Sequence, residues 1–331
     1  MRIVRYIDDI EPDLKGCVVA LGNFDGLHRG HQAVITKAKE IAQNQKVPLA
    51  VMTFEPHPRA FFTPNQDAFL LSPFRIKCRQ MRIMGVEHLY VQRFDAAFSR
   101  QSADEFVKRF LVDGLEVSHV VVGYDYVFGS KRGGNAALLE THGAEFGFGV
   151  TAVEEFRIDD KAQVSSTTIR EFLAEGSCKE AAILLDRYWE IAARVEHGDQ
   201  RGRILGFPTA NLPLGQHHNP KQGVYAVRAG VDRGGKTVWH DAVANFGRRP
   251  TFNKSDVLLE VHFFEFQEEI YQKQVRAALV EFIRPEKKFD SVEALKAQLA
   301  KDCTQARKIL SGHKFPANPF PFVPLSQLVK G

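Results

Sequence analysis

Between residues 17 and 155 the chain alternates short apolar, β-rich runs with amphipathic stretches. The runs are CVVAL, PLAVMTF, HLYVQRF, HVVVGY and VTAVEEF, and apolar positions take helical spacing around 31–45, 72–85, 102–114 and 134–147. Strand and helix in regular alternation predict βαβ units and a mostly parallel sheet. Ser102 followed by Glu105 forms a capping-box signal that opens the third helix. Thr168 with Glu171 and Ser177 with Glu180 repeat that signal beyond the sheet, predicting two short helices that end the first domain. From about residue 187 the pattern shortens to EIAARVEHG, GVYAVRAGV, TVWHDAVANF, VLLEVHFFEF and QVRAALVEFI, separated by Gly-rich turns. An all-β sandwich or small barrel is predicted there. A charged helix around 291–310, begun by Asp290 or Ser291, closes it, and GHKFPANPFPFVP comes after it without any period. The expected domains are therefore residues 1–186 and 187–312, with a Pro/Phe-rich tail at 313–331.

Composition narrows the class without changing this outline. A length of 331 residues suits two domains. The formal net charge of +4 comes without the block of five like charges that would suggest a nucleic-acid tail, and a small anionic substrate fits this balance as well as a polymer does. Cys17, Cys78, Cys178 and Cys303 are far apart with no CxxC spacing, which predicts neither a disulfide framework nor a zinc site and points to the cytoplasm. No apolar run approaches the roughly 20 residues that cross a bilayer, so no membrane span is expected.

The segment GNFDGLHRGH, residues 22–31, lies between the first apolar run and the helix after it. In an open α/β sheet ligands bind beyond the carboxyl ends of strands. Glycines permit close backbone approach to an anion, and a helix N-terminus favours phosphate. His28 and His31 would add donors for charge that develops on a transferring phosphate. On residue type alone, a solvated loop histidine and a helix-start histidine are the competing explanation.

GNFDGLHRGH resembles the first motif of the bacterial bifunctional riboflavin kinase and FAD synthetase family, a variant of the HxGH nucleotidyltransferase signature. TFEPHPRAFF (53–62), VGYDYVFGSKRGG (122–134) and VSSTTIREFLAEG (164–176) resemble the next three motifs in order. The resemblance implies a Rossmann-like N-terminal domain in which Gly22, Phe24, Asp25, His28 and His31 form the ATP side. Ser165, Ser166, Thr167 and Arg170 would close over the phosphates, with His28, His31 and Arg170 acting in catalysis. Pro56, Pro58 and Phe62 would receive the flavin ring, and Asp125 would help to hold FMN. Thr168 stands where many members carry a second Arg.

In the second half, HGDQRGRILGFPTANL (197–212) reads locally as a loop leading into a strand. It resembles the riboflavin kinase motif, which implies ATP binding by Gly206, Pro208, Thr209 and Asn211, with Mg2+ on Thr209 and Asn211. ANFGRRPTF, LEVHFFEF and RPEKKF resemble further kinase motifs. Strand alternation puts Glu260 and His262 on one face. The resemblance makes Glu260 the general base and sets Arg284 and Glu286 at the flavin side. Gln272 departs from the usual Gly. The implied reactions are riboflavin to FMN and FMN to FAD, both consuming ATP. Two rivals remain at this level. A class I aminoacyl-tRNA synthetase fragment shares HxGH but has a KMSKS-like loop where this chain has VSSTTIR, and a flavin-responsive binder has no use for a base.

Overall fold

The computed structural model describes residues 1–5, 10–63, 68–158, 162–198, 206–234, 236–250 and 255–313. The chain divides into two compact units, Met1–Asp67 with Ser72–Ser165, and Ala68–Leu71 with Ser166–Gly331. The Pro/Phe-rich tail lies outside the described residues apart from its first one, His313.

In the first unit the elements are β1 (Arg2–Val4), β2 (Val18–Leu21), α1 (Arg29–Gln45), β3 (Leu49–Glu55), α2 (Pro58–Phe62), α3 (Phe74–Ile83) and β4 (His88–Arg93). Beyond them lie α4 (Ala103–Phe106), which runs on as a π-helical segment (Val107–Gly114), β5 (His119–Gly123), α5 (Ala136–Phe146) and β6 (Gly149–Val153). A small ribbon, β7 (Arg157–Ile158) with β8 (Ala162–Gln163), completes the unit. The main sheet has the order β1-β4-β3-β2-β5-β6, and every pairing in it is parallel. All four residues of β2 and the first six of β3 are buried. Helices cover both faces of such a sheet, so its strands read as continuous apolar runs. The capping box is present: Ser102 Oγ accepts from Glu105 N at 3.1 Å, and Ser102 N donates to Glu105 at 2.7 Å.

The second unit includes α6 (Ser166–Glu175) and α7 (Cys178–Leu185), which the expected boundary at 186/187 places with the sheet. Their side of the division is set by packing. Lys221 N donates to Leu173 O at 2.9 Å, and a methyl group at Gly176 would meet Phe282 at 3.1 Å. Two caps differ from expectation. Thr168 lies within α6, which already begins at Ser166, and Ser177 occupies the cap position of α7 without a side-chain bond.

Next come β9 (Glu190–Arg194), β10 (Ala210–Pro213), β11 (Gly223–Asp232), β12 (Thr237–Pro250), β13 (Ser255–Phe263), β14 (Gln274–Arg284) and α8 (Val292–Ser311). The sheet order is β10-β13-β12-β11-β14-β9, antiparallel throughout. Glu196 N donates to Asn211 O at 3.0 Å, so the chain just after β9 meets β10 and closes the barrel. Ser291 is the residue that caps α8, accepting from Ala294 N at 3.1 Å. Cys303, Ala306 and Leu310, on one face of α8, pack against Val224, Ala226, Val243 and Val280. Burying Leu310 alone contributes about 2 kcal/mol. Among the described residues no helix is long and apolar enough to cross a membrane.

Candidate active sites

In the parallel sheet β2 lies between β3 and β5, so chain order reverses there. The carboxyl ends of β2 and β5 at such a reversal are the usual ligand position of open α/β sheets. Gly22 comes directly after β2, and its N donates to Met52 O at 3.3 Å. Phe24 (φ 49°), Gly26 (φ 81°) and Leu27 (φ 43°) take left-handed backbone. Two non-glycine residues in that region make an unusual loop, held because Phe24 and Leu27 are each 1% exposed. Asp25, also buried, accepts from Ser72 N at 2.9 Å. Asp25 thus anchors the loop.

His28 is the N-cap of α1, and its Nδ1 accepts from His31 N at 3.3 Å. A nitrogen that accepts carries no proton, so neutral His28 holds its hydrogen on Nε2 and is a donor there. The His28 and His31 rings stack with centroids 3.6 Å apart and planes 18° from parallel, and Phe24 abuts His31 edge-on at 5.3 Å. Gly30 lies close against this pair, since a Cβ there would make a tight contact with His28 Nδ1 at 3.2 Å.

Past β3, the Glu55–Pro56 peptide is cis, Pro56 is exposed, and Pro58 opens α2 after His57, whose Nδ1 caps it by accepting from Arg59 N at 3.1 Å. Phe62 is 65% exposed, held edge-on by Phe61 and Phe94 at centroid distances of 5.2 and 5.7 Å. Phe62 therefore stands outside the core. Asp125 is exposed just past β5, flanked by exposed Tyr124 and Val127. Ser165 is half-buried at the end of this unit. Ser166, Thr167 and Arg170 belong to the second unit. There Arg170 Nε donates to Phe69 O at 2.8 Å, and its backbone carbonyl accepts from His218 at 3.0 Å.

In the barrel, strand register assembles a second site. Asn211 on β10 stands opposite Glu260 on β13, and Glu260 stands opposite Asn245 on β12. Directly opposed residues share a face, so an amide, a carboxylate and an amide form one row. Asn245 Nδ2 donates to Glu286 Oε1 at 3.4 Å, and Glu286 folds over Gly247, where any Cβ would collide with that carboxylate. Asn211 is 5% exposed, Thr209 half-buried, and Gly206 (φ 87°) and Pro208 exposed. His262 Nδ1 donates to Pro208 O at 2.9 Å, fixing the 206–209 turn to β13. Burial lowers the His262 pKa below its ordinary 6.5. The unfolded chain then takes up more protons than the folded one just below that value, so stability falls as pH drops through 6.5. His262→Gln is expected to flatten the melting temperature between pH 7 and pH 5, as read by calorimetry of the two proteins.

Arg284 has its Nε and one Nη on Asp302 of α8 at 2.9 and 2.6 Å, and Gln298 Nε2 donates to the same carboxylate at 2.9 Å. It therefore secures the chain leading to Glu286. Asp302 is 2% exposed, and Asp302→Ala is expected to cost about 3 kcal/mol by leaving Arg284 without its partner. Denaturant unfolding checks this. Among the described residues no group of three or more His, Cys, Asp or Glu is placed to hold a metal ion.

Sequence reasoning does not reach Asn245 or the turn-holding part of His262. Asn245 lies within ANFGRRPTF, but only register reveals that it faces Glu260. Asn23 carries no sequence signal of its own either, although its Oδ1 is buried and without a hydrogen-bond partner among the described residues.

Residues 10–168 match a family model described as FAD synthetase, and residues 185–310 match one described as riboflavin kinase. A bifunctional riboflavin kinase/FMN adenylyltransferase from Haemophilus influenzae is 39% identical over 93% of this chain and 98% of its own length. The Escherichia coli K12 protein of the same description is 37% identical, covering 93% and 97%, and that of Listeria monocytogenes is 42% identical, covering 86% and 90%. Among solved structures, that of a macrolide-efflux protein from Streptococcus pneumoniae superposes with a TM-score of 0.81 at 33% identity, covering 92% of this chain and 98% of that one.

Proposed function

Because this chain belongs to the bifunctional riboflavin kinase/FMN adenylyltransferase family, we propose that its two reactions use the two residue sets of the parallel sheet and the barrel. The chain converts riboflavin and ATP to FMN and ADP, and FMN and ATP to FAD and pyrophosphate, with the FAD synthetase part N-terminal and the kinase part C-terminal. The functional division is proposed at residues 1–186 and 187–312.

In the kinase part, Glu260 accepts the proton of the terminal ribityl hydroxyl as its oxygen attacks the γ-phosphorus and the bond to ADP breaks. Asn211 and Asn245 flank the carboxylate and orient it. Thr209 and Asn211 would hold Mg2+: a hydroxyl and an amide oxygen beside a carboxylate make the all-oxygen donor set that this hard cation takes. The ion would neutralise charge on the transferring phosphate. Gly206 and Pro208 shape the turn against ATP, and Arg284 and Glu286 bound the flavin side.

In the N-terminal part, a phosphate oxygen of FMN attacks the α-phosphorus of ATP and pyrophosphate leaves. The attacking phosphate is already an anion, so donors rather than a base are needed. His28 Nε2–H supplies one, His31 a second, and Arg170 with Ser165, Ser166 and Thr167 balances the pyrophosphate. Gly22, Phe24 and Asp25 form the ATP-side loop; Pro56, Pro58, Phe62 and Asp125 receive FMN. Work in the cytoplasm, without nucleic acid, is part of the same proposal.

The row Asn211–Glu260–Asn245 carries the reading, since it sets a carboxylate between two amides on one face of the barrel. The test is a time course of purified protein with riboflavin, ATP and magnesium, resolved by chromatography. FMN rising and then giving way to FAD is expected; riboflavin left unconverted would contradict the proposal.

A further inference from the structure

Lys77 on α3 is 1% exposed, an unusual burial for an ammonium group. Its Nζ donates to Glu55 Oε1 at 3.3 Å and to Thr53 Oγ1 at 3.4 Å. Thr53, 0% exposed, donates its own hydroxyl to Asn23 O at 3.2 Å. The direction of this chain is forced. An ammonium only donates, so Thr53 must accept from it, which leaves the Thr53 proton for the carbonyl of Asn23. Asn23 sits in the left-handed loop between β2 and α1, while Glu55 immediately precedes Pro56 and the loop to α2. One buried charge therefore holds two of the loops that reach beyond the sheet.

Packing gives no reason for a lysine here. A methionine fills a similar volume, and burying a charge is costly unless it is paired and hydrogen-bonded. What a methionine lacks is the ability to fix two polar partners on different loops at once.

We propose that Lys77 is a positioning residue for FAD synthesis, setting the ATP-side loop at Asn23 against the flavin-side loop at Glu55 through Thr53. The proposal rests on the proposed assignment of those two loops to ATP and FMN. Lys77 touches neither substrate. It preorganises the two loops, so that each substrate meets a loop already held in its binding position.

The test uses the full chain, whose riboflavin kinase reaction is an internal measure of folded protein. Thr53→Val keeps shape but breaks the link, Thr53→Ser keeps the hydroxyl, and Lys77→Met removes the charge. Thr53→Val and Lys77→Met are each expected to raise KM for both FMN and ATP in adenylyl transfer. The resulting fall in kcat/KM is about tenfold or more, the scale of one charge-assisted hydrogen bond. Thr53→Ser should behave as the parent, and the double variant Thr53→Val/Lys77→Met no worse than the weaker single variant. The proposal is overturned if Thr53→Val leaves both KM values unchanged, if the double variant multiplies the single losses, or if only kcat falls in step with the kinase rate. His28→Ala, assayed in parallel, separates the two levels. Should FAD synthesis survive that change, the loop assignment itself fails and this inference with it.

Discussion

Glu260→Gln is expected to slow riboflavin phosphorylation by about 10²–10⁴-fold, the range that a positioned general base supplies. Glutamine preserves the shape of the row between Asn211 and Asn245 and still accepts a hydrogen bond, yet it takes no proton near neutral pH. The loss should therefore appear in kcat, with KM for ATP little altered, because Thr209 and the 206–209 turn stay in place. FAD formation from supplied FMN should proceed at the parent rate. Chromatographic assay of the two half-reactions separately checks both statements. A kinase rate within a few-fold of the parent would remove Glu260 from the role of base.

The second large effect is expected at the stacked histidines. Each of His28→Ala and His31→Ala should lower FAD formation by about 10²–10³-fold, the scale of one lost donor to developing charge. Their rings touch at a centroid distance of 3.6 Å, so the double variant should lose less than the product of the two. His28 also caps α1, and its alanine variant should lose about 1 kcal/mol of stability on that account. His28→Asn separates the two contributions. Asparagine is a good N-cap and should recover the stability without recovering the activity. Riboflavin phosphorylation is the control, and a comparable loss there would point to general unfolding instead.

Much of this is readable from sequence where a local period or cap governs the outcome. Strands β2, β3 and β5 read as apolar runs because both faces of the sheet are covered, and Ser102 with Glu105 marks a helix start that the structure contains. The shared face of Glu260 and His262 comes from alternation alone. What escapes depends on partners distant in sequence. Asn245 joins Glu260 only through the register of β12 with β13. Lys77 carries no sequence sign of its burial, because tertiary packing is what sets it against Thr53 and Glu55. The resemblance sets Arg284 at the flavin side, and only the fold reveals that its fork also binds Asp302, eighteen residues on. β1 and α2 go unseen because three and five residues are too few to display a period. Helices α6 and α7 show no sequence sign of the unit they join, since their contacts with Lys221 and Phe282 are long-range.

The central claim is that two separate residue sets in one chain perform the two reactions, and mixing variants tests it most directly. Glu260→Gln and the double variant His28→Ala/His31→Ala are each incubated with riboflavin, ATP and magnesium, alone and then together. Alone, the first should leave riboflavin largely unconverted and the second should stop at FMN, while the mixture should restore FAD as FMN made by one chain is taken up by the other. A mixture that accumulates FMN and forms no more FAD than either variant alone would contradict the account.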